Sequence, residues 1–292
     1  MPPKDLRELR NLVRYRTSLV EARSAERNRL LKLLEEANIK ISTFITDVFG
    51  VSGMLMLKAL LRGDASPAEM AALARGRLRK KMPDLMLALD GRIDDSHRFI
   101  LQMELDRLET MDESLAKLDA RIREKTAPFQ VELDLLVEIP GVDFIVASIF
   151  IAEAGVDMSV FKSGAHFASW AGLCPGNNES AGKQSSGRTR KGNVHLRTAL
   201  VQAAMSAARK RGSYFKAKFH SIKARRGYKR AAVAMAHRLL ITAHHLLSNG
   251  EDYRELGDAY LDTRARATTT RRLVARLEQL GHHVELRLAE TE

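Results

Sequence analysis

The strongest constraint on the fold is a run of 32 residues, Asp94 to Lys125, that contains neither proline nor glycine. Within it Leu101, Leu108, Leu115 and Ile122 recur every seven residues, and Leu105, Met111 and Leu118 fill out the same seam. An apolar residue every 3.5 positions keeps one stripe of a helix facing a partner, so the spacing predicts a coiled-coil helix of about three heptads. The partner would be an earlier helix of the chain or a second copy, and spacing does not choose between them. Thr126, Ala127 and Pro128 end the pattern, because the residue before a proline is pushed out of the helical region. A boundary is therefore expected there. It separates a helical region, 1–127, from a following domain, 128–250, and a charged helical tail, 251–292.

The first forty residues also read as one long helix. Leu6, Leu9, Leu12, Val13, Leu19, Val20, Leu30, Leu33 and Leu34 recur at spacings near three and four. The opposite face is basic, with Arg7, Arg10, Arg14, Arg16, Arg23, Arg27 and Arg29 softened by Glu8, Glu21 and Glu26. Such a face suits plain solvation or contact with nucleic acid equally. Ser66, Pro67 and Glu69 form a capping-box pattern with proline at the first helical position, which predicts a helix start. The fold class expected is mainly α: a long helical coiled-coil region, then a helical domain with a helix-hairpin-helix-like element.

That element is LLVEIPGVDFIVASIFIAEAG, Leu135 to Gly155. An apolar helix should stop at Pro140, turn through Gly141, restart with Asp143 as N-cap and end on Gly155. A glycine turn between two helices can offer backbone amides to a phosphate. Asp143 stands where the usual form has a second glycine, and a carboxylate there repels phosphate, so the hairpin can equally be structural.

The segment CPGNNESAGKQSSGRTRKGN, Cys174 to Asn193, differs in kind. Its twenty residues hold four glycines, three asparagines and three serines, but no Val, Ile, Leu, Met or aromatic residue. It lacks the side chains for a packed strand or helix, and loops of this length inside a domain are usually functional or disordered. We read it as a functional loop leading into a helix over 194–210. A basic connection follows, Arg209 to Arg230, with Tyr214, Phe215, Phe219 and Tyr228 between the charges. Those rings could stack on bases, but anchoring the connection to the core is the favoured use. The next helix, 231–247, carries His237, His244 and His245 without the acidic or thiol partners of a zinc site, which favours core or helix-end roles.

Charge placement points to a partner. The formal net charge is +12, yet the stretch from Ser180 to Gly250 alone contains sixteen Lys and Arg and no Asp or Glu. A field this one-sided attracts polyanions, and phosphate backbones release counterions when neutralised, so nucleic acid is the expected partner class. The apolar stretch Phe144 to Ala152, broken only by Ser148, is nine residues against the roughly 20 needed to span a bilayer. No membrane association is expected, nor a secretory signal. A single cysteine, Cys174, fits a reducing compartment, so a soluble cytoplasmic protein is expected. The chain contains no internal repeat, dinucleotide fingerprint or P-loop.

Phosphodiester chemistry needs a nucleophile and charge stabilisation at phosphorus, often from carboxylate-held metals. The stretch 180–250 has no carboxylate, so it cannot form a two-metal nuclease by itself. It does offer Ser180, followed by the small residues Ala181 and Gly182, with Lys183, Arg188, Arg190 and Lys191 to hold a phosphate. Ser185 and Ser186 are rival nucleophiles, and a serine in such a loop can equally serve as a phosphate hydrogen-bond donor.

The span from IPGVD through FKSGAHFASWAGLCPGNNESAGKQSSGRTRKGNVHLRTALVQAA resembles the C-terminal domain of the IS-one-ten group of bacterial insertion-sequence transposases. That group combines a RuvC-like DEDD domain with a serine-bearing transposase domain. Residues 7–41 also resemble the group's interdomain helical segment, so the likeness covers nearly the whole chain. Its most specific piece runs from Trp170 to Arg197. The resemblance implies a recombinase of a mobile element, acting in the bacterial cytoplasm on nucleoid DNA as a homo-oligomer. Its partners would be the element's ends and its target, with a guide RNA in several members. It implies that Ser180 is the nucleophile, linking covalently to DNA. The basic residues expected to contact nucleic acid are Lys183, Arg188, Arg190, Lys191, Arg197, Arg209, Lys210, Arg211, Arg225 and Arg226. One departure is large. Members begin with an α/β domain whose Asp-Glu-Asp-Asp set binds Mg2+, whereas MPPKDLRELR resembles sequence just downstream of that set. The expectation is an N-terminally truncated member or a late start codon, with no cofactor in this chain. An inactive nucleic-acid-binding fragment is the alternative.

Overall fold

A computed structural model describes residues 3–176, 178–180 and 183–286, with backbone alone at 178–180, 183–186, 262, 264, 265, 267 and 268. The protein is mainly helical. By contacts the chain divides into two compact units, 14–121 and 1–13 with 122–292, and the division falls inside the two longest helices, α1 (Lys4–Glu36) and α6 (Asp95–Thr126). The helix break expected near residue 127 is present, since α6 ends at Thr126. The contact division lies slightly earlier, and it assigns the first turns of α1 to the unit formed by the second half of the chain.

In the unit 14–121, α2 (Ile41–Phe44), α3 (Val51–Arg62), α4 (Pro67–Ala72) and α5 (Met82–Leu89) complete a core with α1 and α6. Leu30, Leu34, Met56, Leu57, Leu85 and Leu101 are buried there, together with Leu105 and Leu108 of the heptad seam. Ion pairs record how the two long helices meet. Arg16 reaches Asp119 and Arg23 reaches Asp112, each at 2.5 Å, so the segments run antiparallel. Much of the basic face expected on α1 is therefore engaged within the chain. Arg29 pairs with the buried carboxylate of Glu26, which Arg107 also approaches at 3.1 Å, and the Arg27 guanidinium lies 4.8 Å above the Phe49 ring. Ser66 and Glu69 form the predicted capping box at the start of α4.

The second unit buries Leu9, Val13 and Ile122 with the helices that follow: α7 (Gln130–Val137), α8 (Phe144–Ala154), α9 (Gly164–Trp170), α10 (Val194–Ala207), α11 (Tyr214–Arg226), α12 (Tyr228–Asn249) and α13 (Tyr260–Gln279). Asp143 caps α8 by accepting a 2.9 Å hydrogen bond from the Val146 amide, as its position predicts. The turn before it is packed against protein. Gly141 has φ +85°, and a Cβ there would lie 2.3 Å from the Ala203 carbonyl oxygen and 2.6 Å from the Ala207 amide nitrogen of α10. The glycine lets two backbones approach, which is a structural use of the hairpin. Alanines continue this close packing: Ala199, Ala203, Ala204 and Ala207 of α10 and Ala231, Ala232 and Ala236 of α12 are all buried. Tyr214, Phe215 and Phe219 are buried too, so these rings anchor α11, while Tyr228 is half exposed.

Candidate nucleic-acid interface

The site is built around the start of α10. Asn193 is its N-cap: the side-chain oxygen accepts from the Leu196 amide at 3.0 Å, and the side-chain nitrogen donates to Glu153 Oε2 at 2.7 Å. Glu153, in the last turn of α8, is 3% exposed. A buried acid at a helix C-terminus faces both desolvation and the negative end of the helix dipole. Arg10 offsets both. Its Nε stands 3.6 Å from Glu153 Oε2, and its guanidinium donates to the carbonyls of Ala152 at 3.0 Å and Glu153 at 3.1 Å.

The segment before α10 contains a two-stranded ribbon, where its composition predicts a functional loop without strands. β1 (Asn178–Ser180) pairs antiparallel with β2 (Lys183–Ser186), with Ser180 opposite Lys183. An isolated bridge joins Pro175 and Thr189, and the Gly176 amide donates to the Arg188 carbonyl at 2.8 Å. Backbone pairing along the ribbon needs no alternation of apolar side chains, and the sequence shows none. Two glycines seat its return arm. A Cβ on Gly192 would lie 2.3 Å from the Gly172 amide nitrogen, and Gly172 itself has φ +71°.

At the root of the ribbon lies a groove of about 740 Å3. Five cations line it: Arg188 from the ribbon, Lys218 from α11, and Lys229, Arg230 and Arg238 from α12. Its apolar part comes from Leu173, Pro175, Ile222, Val233, Ala234 and Met235, and no carboxylate lines it among the described residues. His237 also faces the groove. Burial first, then the neighbouring Arg238 charge, hold its imidazole below the ordinary histidine value, so it is neutral at pH 7. An arrangement of fixed cations around an apolar trough can bind an anion that also carries an apolar part.

Of the basic residues singled out from sequence whose side chains are described, Arg188 lines this groove. Arg190 and Lys191 are exposed on the return arm beside Gly192, and Arg197 is half-buried in the first turn of α10. Arg209, Lys210 and Arg211 are exposed between α10 and α11, outside the groove lining. Arg225 and Arg226 are exposed in the last turn of α11, where cations favour the helix dipole. The backbones of Ser180, Lys183, Ser185 and Ser186 lie in the ribbon, whereas their side chains fall outside the described part of the structure. Lys218, Lys229, Arg230 and Arg238 were not singled out. Their signal was present: Lys229, Val233 and His237, and beside them Arg230, Ala234 and Arg238, recur four residues apart as adjacent rows on one helix face. Among the described residues, no group of three or more His, Cys, Asp or Glu is placed to hold a metal ion, and no helix is long and apolar enough to cross a membrane.

Parts of the chain are similar to known proteins. A Sinorhizobium fredii protein carrying a transposase name, y4pF/y4sB, is 36% identical over 154 residues, covering 51% of this chain and 38% of its own length. A Pseudomonas aeruginosa protein named as a family 20 transposase is 27% identical over 202 residues, covering 69% of this chain and 51% of its own. The chain thus matches about half or less of these relatives' length. Residues 133–220, from α7 through the ribbon into α11, match the sequence pattern of the transposase IS116/IS110/IS902 family, to which this part of the chain is similar.

Proposed function

We propose that this protein is an insertion-sequence transposase, or the part of one that grips DNA and carries its serine nucleophile. The observation that carries the reading is the groove, where five cations and, among the described residues, no carboxylate gather at the root of the ribbon bearing Ser180. In this reading the cations hold the phosphate backbone, and Ser180 Oγ attacks phosphorus. A serine–phosphate ester forms as the bond from phosphorus to one sugar oxygen breaks, and the proton lost by serine ends on the freed sugar hydroxyl. One ester replaces another, so strand exchange proceeds without net hydrolysis. DNA ends and target are the substrates, in the bacterial cytoplasm. A homo-oligomer and a guide RNA belong to the reading through the family resemblance.

Mg2+, which the resemblance associates with a DEDD domain, finds no fitting donor set among the described residues, and no step is routed through it. The groove would serve a second reading equally, a binding module that retains nucleic acid without cutting it. A strand-exchange assay separates them. Ser180→Ala is expected to abolish exchange while leaving DNA affinity nearly unchanged; lost binding would instead make the serine structural, and no exchange by the unaltered chain would favour the binding module.

A further inference from the structure

The groove contains more than phosphate capture requires. Phosphate oxygens are satisfied by cations and amides, and a hydrated backbone gains nothing from an apolar surface. Yet Ile222 of α11 and Val233 of α12, with Pro175 and Leu173 from the ribbon side, form an apolar trough between the cations. In a stacked duplex each base has its faces covered by its neighbours. Only an unstacked nucleotide can lay a base face on such a trough while its phosphate meets the rim. The groove's volume lies within the roughly 300–1,000 Å3 range of pockets that hold small organic groups. The Arg230 and Arg238 guanidiniums supply planar cations on which a base can stack.

We propose that the groove lined by Arg188, Lys218, Ile222, Arg230, Val233 and Arg238 holds one unstacked nucleotide of a single-stranded or locally opened nucleic acid. The proposal rests on the nucleic-acid reading above and adds the form of the substrate. Its location gives it a use: Ser180 is five residues from Pro175, so the serine backbone stands within about 18 Å of the groove along the chain. A strand opened at the ribbon would thus be held beside the proposed nucleophile.

The test uses the full chain and three labelled DNA probes of one sequence: a single strand, a blunt duplex, and a duplex with one bulged 2-aminopurine. The single strand and bulge are expected to bind at least tenfold more tightly than the duplex at equal salt, with a fluorescence change at the bulge. Val233→Trp fills the trough without altering charge. It should weaken single-strand and bulge binding about tenfold, the scale of one lost base stack, and leave duplex binding within about twofold. Ile222→Gln serves the same purpose should the tryptophan variant not fold. Equal affinity for all three probes, or equal loss on all three in a folded variant, would overturn the pocket while leaving the nucleic-acid reading intact. Failure of every probe to bind at moderate salt would overturn both.

Discussion

Asn193 and Glu153 form the joint that fixes where the basic ribbon meets its helix. One end of the Asn193 amide caps α10, and the other donates at 2.7 Å to a carboxylate that is otherwise buried beside Arg10. A paired and hydrogen-bonded buried charge is tolerated, whereas one that loses a partner is costly. The joint therefore couples the ribbon's return arm to the core of its unit.

Asn193→Ala removes the cap and one hydrogen bond to a buried charge. The loss should total about 2.5–4 kcal/mol, from about 1 for the cap and 1.5–3 for the charged hydrogen bond. Asn193→Ser keeps capping and should recover only the cap's share. Urea denaturation of both variants and the parent checks this, and a serine variant as stable as the parent would show that the contact with Glu153 contributes nothing.

Gly192→Ala and Gly187→Ala make a matched pair. The first places a Cβ 2.3 Å from the Gly172 backbone nitrogen, and the second meets nothing within 4 Å. The Gly192 variant should displace the return arm, lowering both thermal stability and nucleic-acid affinity, while the Gly187 variant should match the parent within experimental error.

Glu104 has its carboxyl held above the ordinary glutamate value, first by burial and then by its hydrogen bond and charge repulsion with Glu26. A raised folded value means that the folded state binds the extra proton. The stability linked to it is present below the unfolded value of 4.5 and is lost as pH rises through the folded value. Glu104→Gln keeps a donor toward Glu26 without the charge. It is expected to melt a few degrees higher than the parent at pH 7, with the gap closing below about pH 4.5 in thermal scans.

Much of the helical scaffold was legible locally. The leucines spaced by seven are buried, Ser66 and Glu69 close their capping box, and Asp143 caps α8, because each depends on neighbours within a turn or two. The site was not. Lys229, Arg230 and Arg238 look like a solvated helix face until the ribbon root is placed opposite them, and that placement depends on Gly192 meeting Gly172 and on Asn193 meeting Glu153. The Gly141 turn was equally open on sequence. What decides its use is the approach of Ala203 and Ala207, far along the chain.

Arg230 lines the groove with its charge in a row with Arg238. Arg230→Ala should weaken DNA binding across sequences and reduce the steepness of log K against log salt by about one. Titrations between low and moderate salt measure this, and an unchanged slope would remove Arg230 from the phosphate contacts.

The most direct test of the account is to trap the covalent intermediate. The chain would be incubated with labelled DNA spanning the junctions that flank its gene, digested, and its DNA-linked peptide sequenced by mass spectrometry. A phosphodiester link at Ser180 is expected, absent in Ser180→Ala while DNA binding persists. A link at Ser185, Ser186 or elsewhere, or no adduct from DNA that the chain demonstrably binds and exchanges, would contradict it.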